Sequence, residues 1–123
     1  MIFMTLQKKL KTFRDALTGL KVSVFHYRRR KMQPPFVVWQ EDGEGDSLHT
    51  GNRKTEQVIT GTLDYFTLTE YDDMIDQIQN ALNDTCTAWQ LVSVQYEEET
   101  NMIHYEWAWE MDYGTDEMEG NGR

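Results

Sequence analysis

Residues 41–55, EDGEGDSLHTGNRKT, hold the first arrangement in this chain that could do chemistry. Asp42, Glu44 and Asp46 alternate as the first ligands of a calcium-binding loop do. The pattern then breaks. Ser47 stands at the sixth position, where the loop's sharp turn needs glycine, and Arg53 at the twelfth, where a bidentate glutamate belongs. An EF-hand is excluded, an ad hoc cation site is the minor alternative, and a solvated loop that contacts a partner is the main reading.

Arg28, Arg29, Arg30 and Lys31 form the second arrangement, readable as a nucleic-acid patch, a localisation signal or a salt-bridging surface. Alternate side chains of a strand diverge, so four consecutive cations cannot all address one duplex. Pairing with acidic groups of another subunit explains them at least as well. The third arrangement is Cys86 with a distant histidine, formally a nucleophile pair. Nothing places His26, His49 or His104 beside it, and a small half-buried thiol after a helix is the plainer reading. There is no Walker loop, GxGxxG, HExxH, GxSxG or paired CxxC. The expectation is a non-enzymatic protein with no cofactor and no metal.

Charge sharpens this reading. The 123 residues carry a net charge of -9, yet residues 1–40 hold nine basic residues against the single acidic Asp15. Residues 41–123 hold three basic and twenty acidic ones. The total argues against a general nucleic-acid-binding domain, which needs a clustered cationic surface. The split predicts subunits that complement one another. A head-to-tail contact of that kind, repeated about an axis, closes a ring. The candidate subunit-contact residues are therefore Arg28, Arg29, Arg30 and Lys31 on one side. On the other are Asp42, Glu44, Asp46, His49, Arg53 and Lys54 of the loop. One cysteine excludes an internal disulfide framework, and no apolar run reaches the roughly 18–20 residues that cross a bilayer. A soluble protein made in the cytoplasm is expected, with no membrane partner.

These groups must be positioned by a small set of elements. Phe3, Leu6, Leu10, Phe13 and Leu17 line one face of a helix, with Gly19 expected as its positive-φ cap. That basic helix could lie on a membrane surface, but packing on the domain's own sheet is the favoured reading. Residues 21–27 alternate as a strand, and Pro34-Pro35 marks the loop before a doubly buried strand at 36–39. Residues 56–68 form a third strand, in which Gly61 signals a bulge or a close backbone approach. Thr69 is read as the N-cap of a second helix, with Asp72 at its third position and an apolar stripe of Tyr71, Met74, Ile75, Ile78 and Leu82. Strands at 89–97 and 102–111 close the fold as a hairpin, with Ile103, Tyr105, Trp107, Trp109 and Met111 on one face.

The predicted fold is α+β: two helices packed on one face of a mostly antiparallel sheet, in the order α-β-β-β-α-β-β. A long loop at 41–55 separates the second and third strands. Residues 1–111 make one domain, and 112–123 an acidic tail expected to be disordered.

Residues 22–67, VSVFHYRRRKMQPPFVVWQEDGEGDSLHTGNRKTEQVITGTLDYFT, and 88–111, AWQLVSVQYEEETNMIHYEWAWEM, carry a resemblance. The chain resembles small structural proteins encoded among the tail genes of long-tailed bacteriophages and prophages, and most of all the tail terminator (tail completion) family. The similarity covers roughly residues 3–111 and leaves the acidic tail unexplained; its features are a pattern of strands, proline pair, acidic-glycine loop and aromatic hairpin. The resemblance implies the same order of elements and assembly as a hexameric ring. Such a ring caps the tail tube, ends its polymerisation and offers the surface for head-tail joining. It implies a homo-oligomer whose partners are the tail tube protein and a head connector or stopper protein. DNA passes through without specific binding. It also implies the host cytoplasm during assembly and the virion tail or neck afterwards. The loop at 41–55 would project toward the lumen or a neighbouring subunit. The alternative is another neck component, such as a head-completion or stopper protein. A cation- or nucleic-acid-contacting module comes after that.

Overall fold

The computed structural model of the chain describes residues 5–27, 33–45 and 56–114. Helix α1 (Leu6–Thr18) starts at Thr5, whose hydroxyl accepts the Lys8 amide at 3.3 Å. Leu10, Phe13 and Leu17 are its buried face, as the spacing predicts. Gly19 does end the helix, but in right-handed geometry (φ -75°), its amide donating to the Asp15 carbonyl at 3.0 Å and the next amide, of Leu20, donating to the Leu17 carbonyl at 3.0 Å. The expected positive φ is therefore corrected. These two bonds close the last turn without a left-handed residue.

Strand β1 (Ser23–His26) pairs parallel with β2 (Phe36–Glu44), which follows directly on the two prolines. β2 pairs antiparallel with β3 (Glu56–Thr67). Helix α2 (Met74–Thr85) intervenes, and β4 (Ala88–Glu97) and β5 (Met102–Gly114) form the final hairpin. The sheet order is β1-β2-β3-β5-β4. This is the α+β architecture expected, with both helices on one face.

Three boundaries differ from expectation. The segment 41–55 does not begin as a loop: β2 carries Glu41, Asp42 and Glu44 through a register shift between Glu41 and Gly43. The shift absorbs one extra residue, so pairing with β3 continues past the glycine. α2 begins at Met74 instead of after Thr69, and Tyr71 stands outside it, 94% exposed with φ 55°. The Asp72 carboxylate explains the late start, since it accepts the Met74 amide at 2.9 Å and closes the helix there. Asp112 to Gly114, placed in the tail by sequence, continue β5 opposite Glu56, Gln57 and Val58.

The main core lies between the helices and the sheet, and a smaller buried cluster of Phe36, Phe66 and Met102 sits on the other face. Phe13 of α1 meets Trp39 and Trp109 edge-on, with ring centroids 5.1 and 4.9 Å away. Leu63, Ile78, Leu82 and Trp107 are fully buried around them. Gly61 sits under the Trp109 ring: a Cβ built there lies 2.1 Å from Trp109 Cζ2 and 2.3 Å from the Gln40 carbonyl oxygen. The close approach expected of this glycine is present. Two indole N–H groups pin α2 to the sheet, Trp107 donating to Gln79 at 3.1 Å and Trp89 to Asn83 at 2.8 Å.

Candidate functional site

Alternation along β3 and β5 decides what the sheet offers on the face away from the helices. Leu63, Tyr65, Trp107 and Trp109 turn inward, so Thr62, Asp64, Phe66, His104, Glu106 and Ala108 turn outward. Asp64 and Glu106 are direct cross-strand partners, and His104 lies beside them opposite Phe66. His104 Nε2 is 2.7 Å from Asp64 Oδ1, and its ring stacks on Phe66 with centroids 4.2 Å apart. One ligating atom from each of Asp64, His104 and Glu106 lies within 4.8 Å of the others, and all three residues are partly buried.

A second surface is the β4 edge. β4 is a terminal strand of the sheet, and Leu91, Val94 and Tyr96 stand on the helix side beyond the reach of α2. Val92 is the extra residue of a bulge between Leu91 and Ser93. All four side chains are exposed, Tyr96 by 60%, and Val94 and Tyr96 line a shallow depression beside the hairpin with Leu68, Ile103 and Tyr105. This edge strand has no Lys or Pro, and its protection against pairing is limited to the bulge and the terminal Glu97.

The opposite end of the sheet is different. Every lysine and arginine among the described residues lies on α1 or just after it: Lys8, Lys9, Lys11, Arg14 and Lys21. α1 contacts β1, whereas α2 contacts β4. Strands β2 to β5 and α2 carry no Lys or Arg at all. Among these residues the basic groups are thus confined to α1 and the segment just after it, while, histidine apart, β2 to β5 and α2 carry acidic groups alone.

Of the candidate contact residues, Asp42 and Glu44 are described. Both are exposed on the end of β2, and Asp42 Oδ1 accepts the Gln40 side-chain amide at 2.8 Å. Arg28, Arg29, Arg30, Lys31, Asp46, His49, Arg53 and Lys54 lie outside the described residues. The chain leading to residue 28 is anchored. His26 stacks on Trp39 with centroids 3.9 Å apart, and Glu41 accepts from the Tyr27 hydroxyl at 3.1 Å and contacts His26 Nε2 at 2.7 Å.

Two other groups of chemical interest are structural. Asp72 accepts from the Tyr65 hydroxyl at 2.6 Å and the Thr67 hydroxyl at 2.7 Å, as well as from the Met74 amide. Burial works to raise its pKa, but the three hydrogen bonds outweigh that and hold the carboxyl below its ordinary value. Burial, and then the bond to Asp72, pushes the Tyr65 hydroxyl up. Cys86 is the C-cap of α2 and packs against the core; burial pushes its thiol up to about 11, so little thiolate is present at neutral pH. The histidines that are described, His26 and His104, are committed to Glu41 and Asp64.

Sequence reasoning placed Asp64, His104 and Glu106 on strand faces but did not bring them together. Their outward alternation was a readable signal; the pairing of β3 with β5, across α2 and β4, was not. No protein-family model and no curated protein matches the chain. No helix among the described residues is long and apolar enough to cross a membrane.

Proposed function

We propose that this chain is a non-enzymatic structural subunit of a long-tailed bacteriophage or prophage. In this reading it assembles head to tail into a ring, caps the tail tube and offers the docking surface for the head. The phage assignment rests on the resemblance of residues 22–67 and 88–111 to tail terminators. The observation that carries the assembly is the contrast between the two ends of the sheet. The β4 edge exposes apolar side chains, with Glu97, Glu98 and Glu99 at its hairpin, and α1 is basic. A heterologous contact between such ends buries the β4 patch and matches opposite charges. The mechanism is geometric, since a closed ring on the tube end leaves no site for the next tube subunit. Assembly would occur in the host cytoplasm, and the ring would remain in the virion tail or neck.

Co-sedimentation of the chain with purified tail tubes, viewed by electron microscopy, tests the reading. Tubes should carry one terminal ring. The double variant Val94→Asp, Tyr96→Asp should remain folded by circular dichroism and fail to cap. Capping by that variant overturns the proposed contact. Bare tube ends, with binding to a portal or connector instead, overturn the terminator reading in favour of a neck protein. Rings held by complementary charge should also loosen as salt rises.

A further inference from the structure

We propose that Asp64, His104 and Glu106 bind one divalent transition-metal ion of the zinc type on the open face of the sheet. The proposal does not rest on the ring reading. It departs from the expectation of a metal-free chain, which came from contiguous motifs; this ligand set is assembled from two strands distant in sequence.

The donor set selects the class of ion. One imidazole with two carboxylates suits zinc and its neighbours, whereas calcium and magnesium prefer oxygen alone. The geometry is close to what such an ion needs. Ligands at roughly 2.0–2.2 Å from zinc lie about 3.3 Å from one another in a tetrahedral site. Here the three atoms lie within 4.8 Å of one another, with His104 Nε2 and Asp64 Oδ1 at 2.7 Å. The ion replaces the proton shared by that pair, which opens slightly, while Glu106 closes in. Phe66 stacked on His104 already holds the ring in place.

Electrostatics favour an added cation. Asp64 and Glu106 are like charges directly opposite each other across two strands, an arrangement that costs stability unless a positive charge joins them. Apart from the His104 ring already bonded to Asp64, these strands offer no cation, since β2 to β5 carry no Lys or Arg. Ser93, opposite Glu106 on the same face, has a buried hydroxyl with no hydrogen-bond partner among the described residues. Such orphaned groups call for an unseen water or ion. Three protein ligands leave a coordination position open for a water.

Titrating the metal-free full chain with Zn2+ by calorimetry, and with Co2+ by visible absorption, tests the proposal. One ion per chain is expected, with a Co2+ spectrum showing nitrogen coordination. Asp64→Asn, Glu106→Gln and His104→Gln should each weaken binding at least about tenfold. Circular dichroism without metal checks the fold of each variant. Should His104→Gln fail to fold, Glu106→Gln at the sheet surface still decides the matter. Absence of stoichiometric binding overturns the site. So does binding indifferent to Glu106→Gln and Asp64→Asn, or Mg2+ binding as tight as Zn2+.

Discussion

The two faces of strands β3 and β5 are built from alternate residues of the same segments, yet they obey different rules. Facing the helices, Gly61, Leu63, Trp107 and Trp109 are packed so closely that the glycine has no room for a single added carbon. On the open face, one residue along, Thr62, Asp64, His104 and Glu106 are polar and only partly buried. The helix face is specified by volume throughout, whereas the open face sets this polar group beside a smaller buried cluster of Phe36, Phe66 and Met102. The difference teaches that most of the core is packed on one side of the sheet, while the other keeps polar side chains within reach of solvent.

The comparison breaks first at adjacent positions. Gly61→Val should cost about 3 kcal/mol or more, because the new side chain must displace both the Trp109 ring and the β2 backbone. Urea unfolding should show either a much lower midpoint or no cooperative transition. A near-normal midpoint would mean that the helix face is far more yielding than its packing implies.

Next in size is Asp72→Ala, which acts at the margin of the packed face. It leaves the largely buried Tyr65 and Thr67 hydroxyls without their acceptor, at a cost of about 2 kcal/mol at neutral pH. The sign of the pH effect follows from the lowered carboxyl pKa. This contribution is fully present above the unfolded aspartate value of about 3.9, and is lost as pH falls through the lower folded value. The gap between wild type and variant should therefore narrow in urea titrations below about pH 4. A gap that stays constant down to pH 2 would remove Asp72 from the account.

The smallest effect is expected from Thr62→Val, which places the same side chain as the first variant one residue further on. On the open face it should change stability by no more than about 0.5 kcal/mol, measured by the same unfolding curves. A loss comparable with that of Gly61→Val would mean that the open face is also volume-limited.

Particular elements separate what was legible from what was not. Local pattern carried the buried face of α1, that of α2 except for Tyr71, the β4–β5 hairpin and the Gly61 close approach, because each depends on residues near in sequence. Asp72 was read correctly as a capping residue but at the wrong helical position, since its two hydroxyl partners come from β3 and cannot be seen in the local run. Gly19 was read as a left-handed cap on general preference, and nearby carbonyls made that geometry unnecessary.

By itself, then, the amino-acid sequence determined the α+β class, the order of elements and the separation of basic from acidic residues. These follow from periodicity and composition, which are properties of neighbours along the chain. Only the tertiary structure decided that β5 lies between β3 and β4. That one choice leaves β4 as an edge strand and sets Asp64 opposite Glu106 beside His104. Strand neighbours and register are settled by packing the whole sheet under two helices, a global condition that local alternation does not encode.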